Sequence, residues 1–351
     1  MIKIGNIKID APFFQAGLAG YSDSAMRLIA RKHGCPYCVT EAMLDHFLIN
    51  GGKGLAAAQK ENSDTPLAGQ LMGSSPKEIA QGAKILRQLG YDVIDINLAC
   101  PVKKIKKKCR GGHLMSAPQE AIAILDAVKQ AIADDLPCTV KLRRGSDDST
   151  QATENFHQIF QAIIDLGYAG ACVHGRTVQQ KYNGPAKWAF LKELVQTYQA
   201  TPNFNISGSG DIFCVKDIFD MIQQTGVHMV SVARGCIGNP WIFQQAKAHL
   251  AGDLQKATAP PTIAQQKQVL LQHFSLSMKL HGEKKAGMMM RKFGIKFSYH
   301  HPNPTAVSQA FIKTKSITDW QNVLQDFYHD RIPNPTKLVI PKNPSIKTNT
   351  P

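Results

Sequence analysis

The chain has 351 residues, 43% hydrophobic and 19% charged, with 41 basic against 26 acidic residues and a formal net charge of +15. That length calls for one large α/β domain or two smaller ones, and the balance excludes wholesale disorder. No apolar run reaches the ~18–20 residues of a membrane span, and Met1-Ile2-Lys3-Ile4-Gly5 lacks the apolar stretch of a signal peptide, so a cytoplasmic protein of enzyme size is expected.

Short apolar runs then alternate with helical patterns through residue 250. Strands are predicted at Pro12–Ala16, Tyr37–Glu41, Leu67–Met72, Asp92–Asn97, Cys138–Leu142, Ala171–His174, Asn203–Ser207 and Met229–Ala233. Between them lie amphipathic stretches such as Pro76–Leu89, Gln119–Ala133, Thr153–Leu166, Lys187–Tyr198 and Val215–Gln223, with Gly90 and Gly167 placed to end helices in the left-handed conformation. Eight β–α units over ~240 residues is the size of a (β/α)8 TIM barrel. A doubly wound open sheet fits less well, because eight units exceed its usual count and no early G-x-G-x-x-G follows a strand.

Cys35-Pro-Tyr-Cys38 matches the C-x-x-C spacing but follows a helix and enters a strand, whereas redox pairs open a helix. No second pair completes a zinc site, so no metal is expected. Beyond residue 250 the strand pattern stops. Thr258–Thr262 reads as a linker, and Ile263–Leu280, Lys284–His300 and Ser316–Tyr328 read as helices. The expected organisation is a catalytic barrel over 1–250, a basic helical domain over 251–333 and a disordered tail over 334–351. Residues 241–351 carry 15 basic and 5 acidic residues, so two-thirds of the positive excess sits there, a field that attracts polyanions such as nucleic acid. A separable domain of this kind predicts that deleting 251–351 weakens nucleic-acid binding and leaves a cofactor in the barrel undisturbed.

Strand after strand ends in polar residues: Glu41, Gln70, Asn97 then Cys100, Lys141 and Arg143, His174 and Arg176, Ser209 and Asp211, and Arg234. A barrel builds its active site from the loops at this end. Cys100-Pro101 opens a loop in which six of the eight residues from Lys103 to Arg110 are basic, including Lys103 and Lys104. A reactive thiol beside a polycationic loop suits chemistry on a nucleic-acid base, against the ordinary fates of a buried Cys and a solvated charged face. Lys141, inside a strand end, needs an anion or a Schiff-base role. Ser207-Gly-Ser-Gly-Asp211 and Ala233-Arg-Gly235, in the loops after strands seven and eight, are where barrels hold phosphates, and FMN is one such ligand.

Taken together, these motifs resemble the tRNA-dihydrouridine synthases. The likeness is carried by Asn97-x-x-Cys100-Pro101 followed by Lys103-Lys104, Lys141-x-Arg143, His174-Gly-Arg-Thr177 and Gly210-Asp211-Ile212, together with Leu18-Ala19-Gly20-x-x-Asp23, Gln70 and Gly238-Asn-Pro-Trp-Ile-Phe243. It covers about residues 10–250. The resemblance implies reduction of the C5–C6 double bond of particular tRNA uridines, with FMN recharged by NADPH, in a protein expected to be monomeric. It implies Cys100 as general acid. It implies flavin contacts from Gly17, Leu18, Ala19, Gln70, Lys141 and His174, and phosphate contacts from Ser209, Gly210, Asp211, Ala233 and Arg234. Asn97, Arg143, Arg176, Lys103 and Lys104 would face the substrate. The family usually carries Pro, Asn and Gly where this chain has Gly17, Ser209 and Ala233. Two other barrel enzymes remain as alternatives, an FMN-dependent dehydrogenase of dihydroorotate type and an aldolase forming a Schiff base on Lys141.

Overall fold

The computed structural model describes residues 2–102, 110–133 and 135–340. A hairpin of β1 (Ile2–Ile4) and β2 (Ile7–Ile9) comes first, turning at Gly5 with φ +57°. The barrel follows: β3 (Phe13–Gln15), β4 (Cys38–Val39) with its outer continuation β5 (Met43–Leu44), β6 (Leu67–Met72), β7 (Val93–Leu98), β8 (Cys138–Arg143), β9 (Gly170–His174), β10 (Asn205–Ser209) and β11 (Met229–Val232). All pairings are parallel, and β4 pairs with β6 while β11 pairs with β3, which closes eight strands into a TIM barrel.

Each predicted strand overlaps an observed one. The second is broken between Val39 and Met43, and two short helices, α2 (Asp45–Ile49) and α3 (Gly52–Ala57), follow it after α1 (Ser24–Lys32). The later barrel helices are α4 (Pro76–Gln88), α5 (Pro118–Ile132), α6 (Thr150–Asp165), α7 (Trp188–Tyr198), α8 (Val215–Thr225) and α9 (Trp241–Leu250). Gly90 (φ +77°) and Gly167 (φ +70°) take the left-handed conformation just past α4 and α6, as the Leu-Gly pairs predict.

Alternation along the strands separates two layers. Phe13, Leu67, Ile94, Ile96, Val140 and Leu142 face the helices, while Phe14, Tyr37, Val39, Val93 and Met229 face inward. Ile4 and Ile9 of the hairpin pack on that inner set and close the end of the barrel opposite the strand C-termini. The inner layer is therefore apolar at the closed end and polar toward the open one.

Past the short α10 (Leu254–Thr258) come α11 (Ile263–His281), α12 (Glu283–Phe297), α13 (Pro304–Lys313) and α14 (Ile317–Phe327). Thr262 with Gln265 and Ser316 with Asp319 form capping boxes that start α11 and α14. Gly294 lets α12 meet the Phe311 ring of α13, where a Cβ would lie 2.5 Å from the ring. Met290, Phe293, Phe297, Phe311, Trp320 and Leu324 form a core continuous with that of the barrel. Trp241 joins the two, its ring 5.8 Å from Phe297 and 5.0 Å from His300. In the expected tail, residues 334–340 carry no regular structure, yet the Asn334 side chain accepts the Ile263 amide at 2.9 Å at the start of α11. The tail from 341 onward lies outside the described residues. Among the described residues no helix is long and apolar enough to cross a membrane.

Candidate active site

A cavity of about 440 Å³ opens at the C-terminal end of the barrel. It is lined by Gly17, Leu18, Ala19, Gln70, Asn97, Cys100, Lys141, Arg143, His174, Ser209, Gly210, Asp211, Ala233 and Arg234, residues that the chain separates by more than two hundred positions. Lys103 and Lys104 lie outside the described residues.

On one wall, β6 and β7 carry Gln70, Asp95 and Asn97 inward. Gln70 donates from Nε2 to Asp95 at 2.7 Å and accepts from Asn97 Nδ2 at 2.7 Å. Asn97 Oδ1 accepts the backbone amides of Ala99 and Cys100, both at 3.0 Å, an Asx-type turn that sets the loop. Cys100 sits half-buried at the cavity rim. Its carbonyl accepts the Gly112 amide, and a Cβ at Gly112 would lie 2.9 Å from that oxygen, so the short 3-10 turn over Gly111–Ser116 needs glycine there. Arg110, at the end of the basic run, is buried against Ser74, His46 and Asp45.

The adjoining wall, on β8 and β9, is cationic. Lys141 reaches inward with Nζ 3.2 Å from Cys172 Sγ. His174 accepts the Arg176 amide on Nδ1 at 3.1 Å, so the neutral ring carries its proton on Nε2. Burial, then Arg143, Lys141, Arg176 and Arg234, holds its pKa well below the usual imidazole range. The ring is therefore a neutral donor at physiological pH. Burial also pushes the Asp95 carboxyl up, and its bonds from Thr139 and Gln70 and the nearby Lys141 oppose that shift.

The glycine loops close the far side. Gly210 holds φ +124°, and a Cβ there would meet Ala186 at 2.6 Å; one at Gly235 would meet the Ile212 carbonyl at 2.3 Å. Asp211 does not offer its carboxylate to the cavity: it is engaged by Arg176, Arg234 and the Ala186 amide. Its effect is to aim Arg234, whose guanidinium stacks 5.0 Å from the Tyr182 ring and 5.1 Å from Phe213. Gly17 runs so close to the barrel that a Cβ would lie 2.2 Å from the Thr40 carbonyl. The departure from Pro at this position is thus a steric requirement of this backbone.

Besides the phosphate contact expected of the Asp211 side chain, two expectations change. Arg176 does not approach the cavity; it is fully buried behind the wall on the Gly184 carbonyl and Asp211. Arg143 does line the cavity, but its guanidinium is tied to the carbonyls of Ala99, Thr177 and Lys181, each at 2.8 Å, so it joins the Cys100 loop to the loop after β9. Asp95, Thr139, Cys172 and Tyr182 line the site without having been singled out in the sequence. For the first three the signal was available: each lies two residues before a recognised inward residue on its strand. Cys35 and Cys38 are both buried, their sulfurs 3.7 Å apart, and lie outside this cavity.

The family model for dihydrouridine synthase (Dus) matches residues 14–329. The chain belongs to the dihydrouridine synthase family. Relatives include the tRNA-dihydrouridine synthase B of Shewanella oneidensis, 31% identical over 83% of this chain and 87% of that one. The probable tRNA-dihydrouridine synthase of Treponema pallidum is 29% identical over 93% and 95%. Among solved structures, histamine dehydrogenase from Rhizobium sp. 4-9 superposes with TM-score 0.56 at 14% identity over 78% of this chain. The chain spans about half the length of that structure, and the likeness is one of fold. Family membership disfavours the dihydroorotate-type and aldolase alternatives.

Proposed function

We propose that this protein is a tRNA-dihydrouridine synthase that reduces the C5–C6 double bond of uridine in tRNA, with FMN as its cofactor and NADPH as reductant. The observation that carries the reading is the convergence, in one barrel mouth, of a half-exposed Cys100 with Gln70, Lys141, neutral His174 and the Arg234 loop. The residues present fit a phosphorylated planar ligand: glycine-lined backbone at 210 and 235, Arg234 beside it, and donors from Lys141, His174 and Gln70 along the wall. Gly17, Leu18 and Ala19 would supply the facing wall, with Ser209, Gly210, Ala233 and Arg234 at the phosphate end.

When bound, FMN supplies the hydride that arrives at C6 of the uracil ring. Lys141 Nζ would supply positive charge to the bound ring system, and His174 Nε2 would donate a hydrogen bond to it without itself being charged. Cys100 gives the proton from Sγ to C5. Asn97 would hold the loop that presents the thiol, and Arg143 would tie that loop to the β9 side of the mouth. A base must leave its stack to reach this depth, which costs a few kcal/mol. Exposed Lys279, Lys284, Lys285, Arg291, Lys313 and Lys315 on the helical segment offer phosphate contacts that offset the cost. We further propose that the enzyme works as a monomer in the cytoplasm.

Single-turnover oxidation of the NADPH-reduced enzyme by tRNA tests the assignment. Cys100→Ala should slow it by roughly 10²–10⁴-fold with FMN affinity retained. Equal rates for the two proteins would remove Cys100 from the chemistry.

A further inference from the structure

Beneath the residues that face the ligand, β7 places Asp95 two positions before Asn97, so both point into the barrel, and β6 sets Gln70 directly beside Asp95. Asp95 is buried, with 5% of its surface exposed. Its Oδ1 accepts from Thr139 Oγ1 at 2.6 Å and its Oδ2 from Gln70 Nε2 at 2.7 Å.

The order of these bonds is dictated by chemistry. A carboxylate only accepts, so the Gln70 carboxamide must turn its NH2 end toward Asp95. Its oxygen then faces Asn97 and takes a proton from Nδ2, at 2.7 Å. With its NH2 end committed to Gln70, Asn97 has its oxygen left to accept, and that oxygen receives the Ala99 and Cys100 amides. One carboxylate therefore orients two carboxamides in series, and the second fixes the backbone of the loop. Reversing any amide in the chain would set donor against donor or oxygen against oxygen, and such buried mismatches cost more than an absent bond.

We infer that Asp95 is a positioning residue for the loop that presents Cys100, acting through the oriented side-chain amides of Gln70 and Asn97. The importance of that loop rests on the proposed role of Cys100. The relay itself does not, because its effect is read from the reactivity of the thiol.

The experiment is peptide-resolved alkylation of Cys100 by iodoacetamide in the full-length FMN-loaded enzyme, alongside thermal melting. Asp95→Leu removes the acceptor, and Gln70→Glu sets carboxylate against carboxylate; each should free the loop and raise the Cys100 alkylation rate about tenfold. Adding Asp95→Asn to Gln70→Glu restores a donor opposite an acceptor. The carboxamide introduced at position 95 gives its NH2 to the carboxylate introduced at position 70, which still accepts from Asn97. That double variant should return to within about twofold of the wild-type rate. A purely structural Asp95 gives no such rescue. Wild-type alkylation in folded Asp95→Leu, or a double variant as fast as Gln70→Glu alone, would overturn the inference. Should Asp95→Leu fold too poorly to assay, the Gln70→Glu pair decides the matter alone. A failed Cys100→Ala test with intact rescue would discard the catalytic reading and keep the relay.

Discussion

The barrel mouth and the helical segment bury polar groups in opposite ways. At the mouth, Asp95, Gln70, Asn97 and Arg143 each have geometrically sound partners, and behind its wall Arg176 is paired on two of its three nitrogens. In the helical segment His273 has no partner within the protein on either ring nitrogen, and Gln266 Oε1, Ser277 Oγ, His300 Nδ1, Trp320 Nε1 and Tyr328 OH are likewise unpaired among the described residues. Seven of the twelve such buried atoms thus fall in a segment of fewer than eighty residues. The difference teaches where precision is required. The mouth must hold reacting groups within fractions of an ångström, whereas the interior of the helical segment holds none of the cavity-lining residues and tolerates unpaired polar atoms.

The largest expected effect tests whether the two regions are separable at all. Removing 251–351 would uncover Trp241, 2% exposed in the intact chain, together with Tyr21, whose ring meets Phe293 edge-on at 5.7 Å. Each large apolar side chain returned to water costs ~1.5–3 kcal/mol, and several such losses consume the ~5–15 kcal/mol stability of a typical protein. The expectation that a truncated barrel keeps its cofactor is therefore replaced. The truncated chain should be insoluble or should retain no FMN on gel filtration, and a yellow, cooperatively melting truncation product would show that the regions are independent.

Acid stability should divide the two regions next. Burial pushes His273 and His300 down to about 4. Their folded pKa values lie below that of an unfolded histidine, so the unfolded chain takes up protons first as pH falls. The stability is fully present above about pH 6.5 and is lost progressively down to pH 4. For one such histidine the loss between pH 7.5 and 5 is about 2 kcal/mol. His273→Leu should make the fall in Tm over that range shallower by a few degrees. An unchanged slope would move the acid sensitivity to the barrel, where His174 is shifted in the same direction.

The barrel was legible because its strands are short apolar runs between amphipathic helices and turn glycines, a pattern with few competing folds. The hairpin at Ile2–Ile9 was passed over although Ile-Lys-Ile alternates on both sides of Gly5-Asn6, a two-residue turn signal, because strands of three residues fall below the usual length of a readable run. At the site, attention to strand ends found Gln70, Lys141 and His174 but passed over Asp95, Thr139 and Cys172, which lie one layer deeper on the same faces. Arg176 was misplaced for a related reason. It lies two residues past His174, but the strand has ended, and beyond Gly175 the alternation that would aim a side chain inward no longer applies. Contacts made by the helical segment with the β3–α1 loop were invisible in the sequence, because they join residues more than 250 positions apart.

Those contacts carry the smallest and most specific prediction. Gly20 follows Gly17, Leu18 and Ala19, which line the cavity, and its backbone is held from two sides. Its amide donates to Glu41 at 2.9 Å, and its carbonyl accepts from the Lys292 ammonium of α12. The same ammonium lies 3.8 Å from the centroid of Tyr21, another cavity-lining residue. Three residues on, Asp23 caps α1 through Met26 and meets His281 of α11 at 2.8 Å. The helical segment therefore clamps the loop that forms one wall of the proposed flavin site. Lys292→Met keeps the stem and removes the charge and its hydrogen bond, each worth about 1 kcal/mol or less in a partly exposed position. FMN affinity, read by quenching of flavin fluorescence, should fall about three- to tenfold, with Tm nearly unchanged. Lys292→Arg, which keeps the charge, should recover most of the loss. If FMN binds Lys292→Met as tightly as the wild type, the clamp is a packing contact, and the helical segment contributes nothing to the cofactor wall beyond covering the barrel.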